Sequence, residues 1–424
     1  MPFITRERRA AKTGQGRTDC AVPAAPDESG VTELRARRLR FLIYALALLS
    51  SLLQSAIAPL LPSYAHRFAL GGVQIAALLA ATGIAALVIS LPAGALSDRF
   101  GARVLTLWSG WLIVVATIGQ AFAPSFAFLL ATRFVFGLGY GIVWIAALTW
   151  LARASGDESC LAGTITASGL GCIIGPAFAG FVAQYFGLAA PFVVAAVITL
   201  AVTLMLTAID LEGTSSARPA GVLMSVRAAA GDLKVLGATA AVAIAGASAA
   251  LVTLIGPLEL HASGTSEGSI GFIFSVAAVL FMLSSAATKR AGLRAVRLRT
   301  ILGAGLVLAL VMSPATLSTA PLLVAVMLCA TSAVRAVLWA VGYPLGASGA
   351  NQAGIGLGVV MGLLNLVWAM STIVSPLLAG ALVGPLGARA TFAIAQVVLG
   401  TSLAIGWLAF HMRVPVRGVR VRHL

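Results

Sequence analysis

Gly175-Pro176-Ala177-Phe178-Ala179-Gly180 returns at an offset of 200 residues as Ser375-Pro376-Leu377-Leu378-Ala379-Gly380. At the same offset Gly187 and Phe192 fall on Gly387 and Phe392. Ala58-Pro59-Leu60 matches Gly256-Pro257-Leu258 at an offset of 198, and Asp98-Arg99-Phe100-Gly101 falls on Lys289-Arg290-Ala291-Gly292. Four matches in one order point to a duplicated chain. Six-plus-six repeats with a binding site at the repeat interface are a transporter architecture.

The runs around these matches are apolar throughout. The chain of 424 residues is 60% hydrophobic and 10% charged, with mean hydropathy +1.02. A soluble domain carries about 25% charge, so the solvent for most of this chain is lipid. The runs are continuous rather than alternating at a period of two, and each can cross a ~30 Å hydrocarbon layer as a helix. Spans are expected at 41–63, 73–93, 104–123, 126–151, 160–184 and 189–209, then at 236–258, 269–288, 299–317, 320–345, 355–384 and 389–411. The expected fold is an all-α integral membrane protein with twelve transmembrane helices in two pseudo-symmetric six-helix bundles. The bundles would be 39–209 and 235–412, joined by a polar linker 210–234 and flanked by basic tails 1–38 and 413–424.

The net charge of +15 does not indicate nucleic acid, because the cations lie between apolar spans. Of 28 Lys and Arg, 24 fall in the tails and alternate loops of one side. Arg67 and Arg389 are on the other side, and Arg133 and Arg335 are within spans. Positive residues mark the cytoplasmic side, so both termini are expected in the cytoplasm and the protein in the cytoplasmic membrane. Cys20, Cys160, Cys172 and Cys329 have no paired spacing, which gives neither a disulfide framework nor a metal site. No cofactor is expected.

Gly94-Ala95-Leu96-Ser97-Asp98-Arg99-Phe100-Gly101-Ala102-Arg103 resembles the loop 2–3 signature of the major facilitator superfamily, G-x-L-x-D-R-x-G-x-[RK]. Arg133-Phe134-Val135-Phe136-Gly137 in span 4 is similar to the family's R-x-x-x-G pattern. Gly171, Gly175, Pro176 and Gly180 in span 5 resemble G-x-x-x-G-P-x-x-G-G, typical of the superfamily's antiporters, with Ala179 in place of the penultimate Gly. The likeness covers about residues 39–412. It implies a conformational latch made by Gly94, Asp98, Arg99, Gly101 and Arg103. Asp98 would meet Arg153 and the start of span 11. The span 5 motif would shape the moving interface between halves; the alternative is a kinked packing helix.

In this superfamily spans 1, 4, 7 and 10 line the central cavity. Arg133, Gly137, Tyr140 and Trp144 step by four, three and four along span 4, and Arg335, Trp339 and Tyr343 by four and four along span 10. Each set shares one helical face. With Gln54 from span 1, the cavity residues would be Gln54, Arg133, Tyr140, Trp144, Arg335 and Trp339. An intramembrane Arg costs about 2.5–3.5 kcal/mol on insertion scales and is functional by default; the alternative for Arg133 is a side chain snorkelling to the interface. Drug–proton exporters of the superfamily often hold a carboxylate in span 1, where Gln54 stands here. Glu259, at the end of span 7, is the candidate coupling acid, or else a plain surface charge.

Two cavity arginines without a buried acid favour an anionic or polar-aromatic substrate. The expected function is alternating-access transport of a small organic molecule, as efflux, with protons the candidate coupling ion and a monomer as the working unit. Import or exchange of an anionic metabolite is the second reading, and a non-transporting membrane sensor the third. Gly346-Ala347-Ser348-Gly349 matches the G-x-S-G string of intramembrane serine proteases, but it falls in the expected loop after span 10. The one His touching a span is His411, at the very end of the last, which leaves no His inside a span to act as base. No G-x-x-x-x-G-K-[ST] string occurs, which removes the phosphate cradle of an ATP-driven pump.

Overall fold

The computed structural model describes residues 28–155, 159–210, 232–292, 296–353 and 357–412, and within these no side chain at 28–33, 91, 94, 95, 98, 152, 153, 155, 159–162, 353, 357, 358 or 409–412. Most of the linker and both distal tails therefore lie outside the described residues.

The first half contains α1 (Glu28–Phe68), α2 (Gly72–Phe100), α3 (Ala102–Ala121), α4, α5 (Ser159–Phe186) and α6 (Ala190–Thr207). Helix α4 starts as Phe126–Ile142, passes through a π turn at Val143–Ala147 and ends as Leu148–Ser155. The second half contains α7 (Leu233–Ala262), α8 (Glu267–Arg290), α9 (Leu298–Met312), a 3-10 turn (Ser313–Thr316) and α10 (Pro321–Ala353). The remaining helical run, Leu357–Met412, is 56 residues long and breaks at Gly387, with φ 77° and ψ 170°. At 1.5 Å per residue an unbroken run would be about 84 Å long, far more than one crossing. The break divides it into α11 (357–386) and α12 (388–412). Eleven continuous apolar runs among the described residues thus make twelve crossings.

Helix starts follow local capping. Asp232 accepts from the backbone N–H of Lys234 and Val235 at 2.8 and 2.9 Å and opens α7. Ser125 and Ser266 accept from the N–H groups of Phe128 and Ser269 and open α4 and α8. Each cap satisfies donors that the first turn leaves without partners. Helix ends are less legible from hydropathy. Helix α1 begins at Glu28 rather than near 41, because Leu34-Arg35-Ala36-Arg37-Arg38-Leu39-Arg40 consists of good helix formers that need no lipid. Helix α10 runs to Ala353, so Gly346–Gly349, expected in a loop, is helical.

The duplication has a backbone counterpart. Gly101 and Gly292, paired in sequence, have φ of 89° and 62°, and Gly187 and Gly387 have φ of 87° and 77°. Both pairs turn the chain between helices in a conformation that excludes most side chains. Phe192 and Phe392 are each 1% exposed. Helices α3, α6, α9 and α12 carry exposed large apolar residues, such as Trp108, Val197, Leu310 and Val397, and form the lipid-facing periphery. Within each half α1 packs on α5 and α7 on α10; between halves the principal contacts are α5 with α8 and α2 with α11.

Candidate functional site: a cavity sealed at one end

The halves meet most tightly at the end opposite the termini. A Cβ on Gly72 of α2 would overlap the Gly380 carbonyl of α11, and one on Gly380 would overlap the Gly72 carbonyl. On the α5–α8 side, a Cβ on Gly180 would strike the Glu267 carbonyl and one on Gly271 the Pro176 carbonyl. The Gly268 N–H donates to Gln184 Oε1 at 3.1 Å, and the Ala177 N–H to Ser275 Oγ at 3.1 Å. Ser63 of α1 donates to the Glu267 carboxylate at the start of α8. Backbone-to-backbone contact of this kind excludes water and needs glycine at the crossing.

Away from this seal the helices part around a cavity of about 550 Å³. Its wall reaches from Gln54 and Ala58 on α1 to Lys289, one residue before the end of α8, so it opens toward the end that carries the termini. Helices α1, α5, α7, α8 and α10 supply the lining, with Leu79 from α2. Among the described residues α4, expected on the cavity, contributes nothing to it, while α5 and α8 do.

Gln54 and Arg335 line the cavity. Arg335 Nη2 donates to Ser332 Oγ at 3.0 Å, and its guanidinium lies 6.0 Å from the Phe281 ring centre. Arg133 is 1% exposed and sits behind Gln54. Its Nη2 donates to Gln54 Oε1 and its Nη1 to Gln120 Oε1, both at 3.4 Å. Gln54 also donates to Thr82 Oγ1 at 3.3 Å, and Gly137 lets α4 approach α2 at Thr82 and Ala85. That close approach carries the guanidinium past the cavity wall.

Tyr140, Trp144 and Trp339 do not line the cavity. Phe136, Tyr140 and Trp144 form a ring ladder along α4 with centres 6.1 and 6.3 Å apart. The rings thus keep the common face that helical stepping assigns, with the π turn starting only at Val143, and that face is turned away from the cavity lining. Trp339 is held between Tyr343 and Trp368 at 4.7 and 4.9 Å.

The remaining expected residues divide among helix packing, loop and surface positions. Gly171 and Gly175 pack against Leu48 and Leu52 of α1, inside the first half; only Pro176 and Gly180 reach the seam between halves. In the loop signature, Arg103 Nη1 pairs with Asp210 Oδ1 at 2.8 Å and its Nη2 donates to the Thr207 carbonyl at 3.1 Å, tying α3 to the end of α6. The Arg99 guanidinium lies 5.3 Å from the Phe100 ring, and Gly101 forms the turn. Gly94, Asp98 and Arg153 lie outside the residues whose side chains are described, so their part in a latch stands as a proposal. Glu259 is half-buried near the end of α7 and does not line the cavity.

The Major Facilitator Superfamily model matches residues 43–361. The chain belongs to the major facilitator superfamily. An MFS-type transporter of Bacillus subtilis is 31% identical over 176 residues, 39% of this chain and 44% of that protein. A homologue of the multi-drug resistance efflux pump PmrA from Lactococcus lactis is 28% identical over 163 residues, 36% of this chain and 39% of that protein. These matches span less than half the length of either relative. Among solved structures, a bacterial homologue of the human lysosomal transporter Spinster, inward-facing and unoccupied, superposes with TM-score 0.69 at 13% identity, covering 88% of this chain and 97% of that one. This major facilitator protein is a multi-pass membrane protein with the fold of that superfamily.

Three residues of this major facilitator protein escaped sequence reasoning. Glu267 looked like a loop-edge acid, yet it bonds across the seal. Lys289 looked like an ordinary inside charge, yet it stands at the cavity mouth. Asp210 lay in the expected linker and is the partner of Arg103. Only the repeat offered a signal: Lys289 occupies the position matched to Asp98.

Proposed function

We propose that this transporter exports a small organic molecule by alternating access, and that the conformation seen is the inward-facing one. The observation that carries the reading is the asymmetric cavity: two sequence-related halves enclose it, backbone contacts seal one end, and the other end is open. The Lys and Arg bias supports a cytoplasmic location for the termini, and hence for the open end. A rocking of residues 39–209 against 235–412 would part Gly72 from Gly380 and Ser63 from Glu267 while closing the mouth near Lys289. Efflux is supported by the similarity to a multidrug efflux pump homologue and by the span 5 pattern. Asp98, Arg99, Arg103 and Arg153 would steady the cytoplasmic loops, and the cell's cytoplasmic membrane is the proposed location.

Protons are the proposed coupling ion, with Glu267 added to Glu259 as a candidate acid. Glu267 would exchange its hydroxyl partner, Ser63, for water when the seal opens, so its surroundings would differ between the two states, as those of a coupling acid must. Import or exchange of an anionic metabolite is favoured by one observation, the cationic Arg335 on a cavity without a carboxylate in its described lining. The test is accumulation of a compound panel in everted membrane vesicles with and without the protein. Uptake into everted vesicles that collapses with the proton gradient is expected; loss of preloaded compound from them would reverse the direction.

A further inference from the structure

The cavity's charge says what chemistry can fill it. Two charged side chains occur in its described lining, Arg335 and Lys289, and both are cations. Arg335 Nε is buried with no hydrogen-bond partner, and among the described residues no carboxylate pairs with its guanidinium. Five N–H donors on a planar fork thus have one described acceptor, Ser332 Oγ. An unmatched guanidinium on the wall of a water-accessible cavity is a ready site for a carboxylate, sulfonate or phosphate.

Lys289 is eight residues beyond Phe281 on α8, about 12 Å along the helix axis. It therefore marks the mouth while Arg335 marks the interior. Between and around them the walls are apolar, with Val252, Phe274, Phe281 and Leu328, and Gln54 and Ser55 supply neutral hydrogen-bonding groups. A space of about 550 Å³ is in the range of small-molecule sites.

We propose that the cavity binds an amphipathic organic anion, its charged group on Arg335, its apolar body against Phe274 and Phe281, and its entry steered by Lys289. The proposal deepens the transport reading but rests on it only for the movement of the anion once bound. The same chemistry could come from a soluble aromatic acid or from a single-chain anionic lipid.

The test is calorimetric binding to the purified full-length protein of 1-naphthoate, the neutral 1-naphthamide, the cationic 1-naphthylmethylammonium, and dodecyl phosphate. At least one anion is expected to bind tenfold or more tighter than the amide and the ammonium, as a charge-assisted contact gives. Arg335→Gln should collapse that ratio toward one, and Lys289→Gln should flatten the fall of affinity with salt. If Arg335→Gln does not fold, Arg335→Lys decides, and the ratio must shrink at least threefold because the fork is lost. Tighter naphthoate assigns the site to soluble acids, tighter dodecyl phosphate to lipid-like ones, and both support it. Amide or ammonium binding as tight as the anions, an anion affinity indifferent to position 335, or no anion binding overturns it. Naphthoate binding without counterflow in proteoliposomes would sink the transport reading and leave the anion site. Counterflow of the ammonium alone would do the reverse.

Discussion

At the residue scale, Arg133 and Glu267 define what is unusual in the machinery. Arg133 is a buried guanidinium with two amide acceptors at 3.4 Å and an Nε lacking a partner. Such a charge contributes little to stability, since desolvation offsets what two long hydrogen bonds return. Arg133→Met should therefore leave the unfolding midpoint in detergent unchanged or higher while abolishing transport. A midpoint lowered by several degrees with transport intact would make Arg133 structural. Glu267 predicts differently. Glu267→Gln keeps an acceptor for Ser63 but cannot titrate, so counterflow should persist and gradient-driven accumulation should fall at least tenfold. Glu259→Gln should spare both. The opposite pattern, read in the same vesicles, would return the coupling role to Glu259.

At the element scale, the repeat glycines explain both what the sequence reveals and what it hides. Gly101 has φ 89° and ψ 142°, a region almost restricted to glycine, and occupying it with a side chain costs on the order of 1–3 kcal/mol. Gly303 lies inside α9 with open space where a Cβ would go, and Gly→Ala in a helix interior gains about 1 kcal/mol. Gly101→Ala should lower the unfolding midpoint and Gly303→Ala should not; equal effects would show that backbone conformation does not decide. The turn at Gly101 was legible because the repeat places a second glycine, Gly292, at the matched site. The ends of α1 and α10 were not, since a helix that leaves the bilayer keeps its hydrogen bonds and loses only its hydropathy signal. Nor was the π turn in α4, whose residues Val143–Ala147 read as ordinary helix in the sequence.

For the whole molecule, twelve crossings in two related halves followed from apolar runs and four repeat matches, because lipid leaves the backbone no alternative to the helix. The site was only partly legible. Helical stepping places residues on a face, but which face meets the cavity depends on how halves pack, and that packing is set by glycine contacts such as Gly72 with Gly380. Hence Gln54 and Arg335 reach the cavity while Arg133 and Trp339 do not. The central claim is that the seal at one end and the opening at the other exchange. Spin labels at positions 66 and 263, across the sealed end, and at 100 and 290, across the open end, measure this directly in a cysteine-free background by pulsed electron resonance. Upon binding of a transported compound, the 66–263 distance should lengthen in the same fraction of molecules in which the 100–290 distance shortens. Distances that stay fixed, or that lengthen together at both ends, would contradict alternating access by this protein.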